Sequence, residues 1–195
     1  MFKKFHSCIV LDIDETLIHS TEKSLEDLSK LSSNKYDKCF KLDKQYYCVK
    51  FRPYLKEFLE SAFKNFDHVA IWTAADRKYA TKILNYILTP KQFNSLLFFY
   101  SRRDCVKDIQ GYHNKPLEKV FNKYRFLNEK NTVIVDNANY ITKLNKNMSI
   151  NVPDFISSNN DIVLKNLITR YPVSTERSMK LFINRLSKLK KDYNK

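Results

Sequence analysis

Glycine is nearly missing from this 195-residue chain, occurring once, at Gly111. Loops that cradle phosphates with successive backbone amides need several glycines at fixed spacing, so a P-loop and a dinucleotide fingerprint are both excluded. Cysteine is scarce too. Cys8, Cys39, Cys48 and Cys105 show no C-x-x-C spacing and no paired histidines, which argues against a zinc site and predicts reduced, packed thiols. No apolar run reaches the roughly 20 residues of a membrane helix. The start, MFKKFHSCIVLDID, holds too short an apolar stretch for a signal peptide. The expectation is a soluble, intracellular, monomeric protein with no membrane partner, nucleus or cytoplasm left open.

Acidic residues are also short, 21 against 35 Lys and Arg, for a net charge of +14. Such a surface attracts phosphorylated protein or nucleic acid. The lysines are scattered, however, and Lys, Asn, Ile, Tyr and Phe dominate as they would under AT-rich coding. Coding bias therefore accounts for the charge at least as readily as a nucleic-acid role. The local basic cluster is at the end, from Lys188 to Lys195, and 191–195 is read as a basic tail.

What is present is 43% hydrophobic residues, enough for one domain with a full core, expected over 1–190. Strand-like runs at 7–12, 68–73, 96–100, 132–136 and 148–152 alternate with helical periodicity. This predicts an α/β fold, a Rossmann-like mostly parallel sheet flanked by helices. Helices are expected after Pro53 with Leu55, Phe58, Leu59, Ala62 and Phe63 inward, and over 76–88 with Asp76 as cap and Tyr79, Ile83, Leu84 and Ile87 buried. Others are expected over 115–124, 161–170 and 175–189, the last with Met179, Phe182, Ile183 and Leu186 as its stripe. Residues 22–50 break the pattern. Their second half alternates well enough for one or two antiparallel strands, with Phe40, Leu42, Tyr46 and Val49 as packing positions: a small β-type insert after the first strand, either a cap over the site or a surface excursion.

Three predicted strands end in residues fit for phosphoryl chemistry, on the rim where open α/β sheets bind ligands. The first ends in Asp12 and Asp14, the second in Thr73, a later one in Asp136 and Asn137. Two carboxylates at the end of an apolar strand call for a cation or donors. Asp12 and Asn137 can hold a Mg²⁺, which prefers hard oxygen donors. Asp12 can attack phosphorus, and Asp14 can protonate the leaving group and then take a proton from water. Thr16, Thr73 and Lys115 can meet the phosphoryl oxygens. His19 reads as a local hydrogen-bonding residue and Trp72 as core.

Five ordered blocks, CIVLDIDETLIHS, VKFRPYLKEFL, AIWTAADRKYA, SRRDCVKDIQGYHNKPLEKV and VIVDNANYITKLNKNMSINVPDF, cover nearly the whole chain. Together they resemble the haloacid dehalogenase superfamily and, within it, the small phosphatases of the RNA polymerase II C-terminal domain, the FCP-homology family. The resemblance implies Asp12 as nucleophile, Asp14 as general acid/base, and Thr16, Thr73, Lys115 and Arg102 as phosphate contacts, with Arg103 competing for the last role. It implies a Mg²⁺ held by Asp12, Asn137 and the main-chain carbonyl of Asp14, with Asp136 in support. Two positions depart from the family pattern: Ala138-Asn139 stands where Ser-Pro is usual, and Pro116 follows Lys115 where Asp is usual.

The implied activity is a Mg²⁺-dependent phosphoserine or phosphothreonine protein phosphatase working through an aspartyl phosphate. Its partner would be a phosphorylated protein such as a polymerase tail, its role regulation of transcription or growth. The alternatives are a nucleotidase or polynucleotide end phosphatase with the same catalytic set, or a non-catalytic scaffold of the same fold.

Overall fold

The computed structural model describes residues 5–29 and 35–193, with side chains to Asn184. The apolar run after Ser7 forms β1 (Cys8–Leu11), buried throughout. The chain then turns and lays down β2 (Ile18–Lys23), a short α1 (Leu25–Ser29), β3 (Lys38–Leu42) and β4 (Gln45–Phe51). Next come α2 (Leu55–Asn65), β5 (His68–Trp72), α3 (Arg77–Ile87), α4 (Pro90–Asn94) and β6 (Phe99–Tyr100). A 3-10 turn at Arg102–Asp104 leads into a two-stranded hairpin, β7 (Val106–Lys107) and β8 (His113–Asn114). The remainder is α5 (Leu117–Lys123), β9 (Thr132–Asp136), α6 (Asn139–Leu144), β10 (Ser149–Asn151), α7 (Val163–Leu167) and α8 (Glu176–Tyr193).

The five expected strands make one parallel sheet in the order β10-β9-β1-β5-β6. β1 lies at its centre, pairing with β5 on one side and β9 on the other, which makes its carboxyl end the switch point between strands that run outward in both directions. Alternate side chains feed two layers. Ile9 and Leu11 pack with Phe58, Ile83, Leu164 and Met179, whereas Cys8 and Val10 pack with Trp72, Leu117 and Val120 on the other face. Both faces are therefore covered, which is why the central strands read as unbroken apolar runs instead of alternating.

The helices start where local chemistry dictates. Asp76 caps α3 by accepting from the Lys78 amide. α2 begins at Leu55, and its apolar stripe buries Leu55, Phe58, Leu59 and Ala62. Three helices that periodicity did not announce are the short α1, α4, held by a Thr89–Gln92 capping box, and α6, which follows Asn137. α8 runs to Tyr193, so helix extends into the stretch expected as a tail; Leu186 and the basic cluster lie outside the described side chains. Among the described residues, no helix is long and apolar enough to cross a membrane.

The insert is a three-stranded antiparallel sheet in the order β2-β4-β3. It begins four residues earlier than the sequence suggested, at Ile18. Its inward face carries Tyr47 in place of the expected Tyr46, because Phe40 pairs with Tyr47 across β3 and β4 and a pleated strand cannot put positions 46 and 49 on one face. The expectation of four reduced thiols is corrected here. Cys39 and Cys48 face each other in the same register, with Cα atoms 4.1 Å apart, and form a disulfide; Cys8 and Cys105 are free thiols.

Candidate active site

Parallel register brings the three strand ends to one level. Leu11 lies beside Ile71 of β5 and Val135 of β9, so Asp12 and Asp136 emerge level with each other, and Thr73 follows one residue beyond the level of Asp12. Asp12 is buried. Its Oδ1 accepts from Lys115 Nζ at 2.5 Å, and its Oδ2 accepts from the Thr16 hydroxyl at 2.9 Å. The same ammonium donates to Asp136 Oδ2 at 2.7 Å, while Asp136 Oδ1 accepts from the Ala138 amide.

Lys115 is thus a buried cation bridging two buried carboxylates. Burial alone would lower its affinity for the proton, but Asp12 and Asp136 outweigh that and hold it charged, above its ordinary value. Burial, then the Asp12 charge, raises Asp136 in turn. The segment carrying the lysine is fixed from behind: Asn145, fully buried, donates to the Lys115 carbonyl at 3.0 Å and accepts from the Leu117 amide at 3.0 Å. Pro116 sits at the start of α5, a position that needs no amide hydrogen, and Lys115 keeps both carboxylate partners.

Asp14 occupies a different environment. Its Oδ1 accepts a 2.6 Å hydrogen bond from the Tyr79 hydroxyl on α3, and burial pushes its carboxyl up to about 7. Two carboxylates two residues apart are in this way pulled into different roles, one facing a fixed cation and the other able to hold a proton near neutrality. Tyr79 was read from sequence as core only. Its ring does pack, against Tyr47 at 5.2 Å and Phe40 at 6.3 Å between centroids. The insert therefore touches the site through the residue that holds Asp14.

The loop between Asp14 and β2 is tight. The Leu17 and Ile18 amides both donate to the Ile13 carbonyl, and Glu15 takes a left-handed φ of 55°. Arg52, 1% exposed, pins this loop. It donates to the Thr16 carbonyl at 3.0 Å and the Pro153 carbonyl at 2.9 Å, and makes a two-pronged pair with Asp161 at 3.1 and 2.9 Å. Sequence reasoning missed this arginine as an individual. Its only signal was its place in the VKFRPYLKEFL block. His19 is local as expected, with Nδ1 3.1 Å from Glu15 Oε1.

Thr16 was implied as a phosphate contact. Its fully buried hydroxyl lies between Asp12 Oδ2 and Asn137 Oδ1, 3.1 Å from the latter, and accepts from the Asn137 backbone N–H. It braces the first strand end to the third. Thr73 differs, for its Oγ1 accepts from the Ala75 amide and its own proton is left to donate. Arg102 is exposed and anchored beside that loop, Nε donating to the Ala74 carbonyl at 2.7 Å and its amide to Ala75. Among the described residues, Arg103 makes no comparable bond.

The donor set suits a hard cation. Asp12 Oδ2 and Asn137 Oδ1 gather around one hydroxyl, and the other end of the Asn137 amide is taken, Nδ2 donating to Asp154 at 3.0 Å. Among the described residues no group of three or more His, Cys, Asp or Glu side chains forms a metal cluster. One carboxylate and one amide oxygen are a set of another kind, in keeping with Mg²⁺, which fills its shell with waters and substrate oxygens.

A central strand ending in a carboxylate pair, with a lysine bridged to the next strand end and a β insert after the first strand, defines a phosphatase fold of the haloacid dehalogenase type. Residues 7–179 match the family described as NLI interacting factor-like phosphatase, and the chain belongs to that family. A CTD phosphatase-like protein of Invertebrate iridescent virus 6 is 31% identical over 164 residues, 78% of this chain and 88% of that protein. The carboxy-terminal domain RNA polymerase II polypeptide A small phosphatase 2 of Mus musculus is 32% identical over 173 residues, 88% of this chain and 57% of that protein. Among solved structures, the fission yeast RNA polymerase II CTD phosphatase Fcp1 bound to beryllium fluoride has a TM-score of 0.59 at 20% identity, over 96% of this chain and 51% of that one. At that identity the likeness speaks for the fold.

Proposed function

We propose that this chain is a Mg²⁺-dependent phosphoserine/phosphothreonine protein phosphatase that works through an aspartyl phosphate. The observation that carries the reading is the divided environment of the carboxylate pair: Asp12 against the Lys115 ammonium, Asp14 hydrogen-bonded by Tyr79 and raised by burial to about 7. Asp12 attacks phosphorus, and the bond to the substrate oxygen breaks as Asp14 protonates it. Asp14 then takes a proton from the water that attacks the aspartyl phosphate, returning Asp12 and releasing inorganic phosphate. Lys115, Thr73 and Arg102 meet the phosphoryl oxygens, Lys115 by exchanging part of its contact with Asp12. Mg²⁺, held by Asp12, Asn137 and the Asp14 carbonyl, supplies the positive charge that lets a carboxylate approach a phosphate dianion.

A phosphoprotein substrate is supported by relatives named for the RNA polymerase C-terminal domain and by a net charge of +14, which suits an acidic phosphopeptide. The same charge favours a second reading, a polynucleotide end phosphatase. The test is hydrolysis of an aryl phosphate with and without Mg²⁺, then a panel of phosphopeptides and phosphorylated DNA and RNA ends. Asp12→Asn is expected to abolish turnover and Asp14→Asn to cut it severely. Full activity in Asp12→Asn would overturn the mechanism, and preference for nucleic-acid ends would overturn the substrate class.

A further inference from the structure

The metal side of the site has an unusual charge balance. Its third strand end contributes Asn137, a neutral ligand, so apart from Asp12 the expected donors carry no charge. An asparagine amide is also ambiguous, since rotation by half a turn exchanges its oxygen for a donor that repels a cation. Something has to choose the end that faces Asp12.

Asp154 makes that choice. Its Oδ1 accepts from Asn137 Nδ2 at 3.0 Å, and a carboxylate can only accept, so the amide oxygen is turned toward the Thr16 hydroxyl and Asp12. Although Asp154 is exposed, its backbone is not loose. The preceding Pro153 carbonyl accepts from buried Arg52, the Phe155 amide donates to the Glu15 carbonyl at 2.8 Å, and the Phe155 ring is 1% exposed. The Val152 amide is tied to the Asp136 carbonyl, and Asn151 donates to the Asn137 carbonyl at 2.7 Å. The segment after β10 is thus stitched to the loops that carry Asp14 and Asn137, and it delivers one carboxylate to the back of the Asn137 amide.

We propose that Asp154 is a positioning residue for the catalytic cation: it fixes the Asn137 amide with its oxygen inward and returns to the site the negative charge that an asparagine ligand lacks. Hydrogen-bonded partners behind metal ligands typically govern affinity by about 10- to 100-fold. The proposal rests on the reading of Asp12 and Asn137 as ligands of Mg²⁺.

The test titrates Mg²⁺ into the metal-stripped chain and into Asp154→Ala, Asp154→Asn, Asn137→Ala and the Asn137→Ala/Asp154→Ala double variant. Binding is read by calorimetry and by the Mg²⁺-induced rise in Tm. Asp154→Ala is expected to weaken Mg²⁺ about 10-fold or more, with an unchanged Tm in chelator. Asp154→Asn should fall between, since a neutral amide can accept from Asn137 but brings no charge. The loss should appear in the Mg²⁺ concentration for half-maximal hydrolysis more than in kcat. In the Asn137→Ala background the Asp154 effect should shrink. Wild-type affinity in Asp154→Ala, alongside lost binding in Asp12→Asn, would overturn the proposal alone, as would an undiminished Asp154 effect once Asn137 is gone. Failure of the wild-type chain to bind Mg²⁺ would overturn the ligand reading beneath it.

Discussion

The central sheet and the insert sheet solve the same problem, holding strands together, by different means. The central strands are parallel, buried on both faces and fixed by two apolar layers. The insert is antiparallel, packs on one face through Phe40, Tyr47 and Val49, and ties its edge strand β3 to the middle strand β4 with the Cys39–Cys48 disulfide. A sheet with core on both sides can present a buried cation between carboxylates at its edge, because the surroundings cannot relax to admit water. The insert has no such reserve of packing, and the covalent tie stands in for it. On the proposed function, chemistry belongs to the first region and substrate selection is best sought in the second, which reaches the site through Tyr79 and through the Ile18 carbonyl that accepts from the Glu15 amide.

The sharpest way to break this division is at Lys115. Lys115→Ala leaves Asp12 and Asp136 facing each other in a buried space, so activity should vanish and stability should fall by about 3–5 kcal/mol. Chemical denaturation of the metal-stripped protein measures it. A loss no larger than that of a surface lysine would mean that the bridge does not hold the centre together.

Next is pH. Asp14 has its folded-state carboxyl raised from 3.8 to about 7, mainly by burial. A raised carboxyl stabilises the fold where it is protonated, so its contribution is complete below pH 4 and is lost as pH rises through 7. In chelator, that contribution amounts to about 4 kcal/mol at most. Asp14→Asn should flatten this part of the stability–pH curve, and an unchanged slope would remove Asp14 as its cause.

The insert gives the third measurement. Cys39→Ser with Cys48→Ser should lower stability by about 2–3 kcal/mol, the worth of a short disulfide loop. Aryl phosphate hydrolysis should persist while selectivity among phosphopeptides changes. If the small substrate is lost as well, the two regions are one functional unit. The smallest effect is expected from Tyr79→Phe, which keeps the packing and removes one hydrogen bond, worth about 1–3 kcal/mol when it meets a charge. That bond lowers the Asp14 carboxyl, so its removal should move the alkaline limb of the activity profile upward. A limb that stays in place would assign the limb to another group.

Much of the central region was legible because its signals are local. An apolar run names its strand, and the residue after it names the rim, so Asp12, Asp14, Thr73, Asp136 and Asn137 could be grouped before any coordinates. Arg52, Tyr79, Asn145 and Asp154 could not, since each acts through a partner far along the chain: Tyr79 is 65 residues from Asp14, Arg52 109 from Asp161. Nothing in the immediate neighbours of a buried arginine states which carbonyls it will meet. The disulfide was hidden for another reason. Its pairing follows from the two-residue turn between Leu42 and Gln45, and without that turn the register of β3 against β4 was open.

The single glycine has a cost elsewhere in the backbone. Gly111 takes a φ of 89° at the hairpin turn, yet Glu15, Asp43, Tyr54, Asn147 and Ser157 are also left-handed, and none of them is glycine. Asparagine and aspartate tolerate that region, but for Glu15, Tyr54 and Ser157 it costs about 1–2 kcal/mol each. A shortage of glycine is thereby expressed as conformational strain, and one of the strained corners, Glu15, is the residue next to Asp14, the proposed acid.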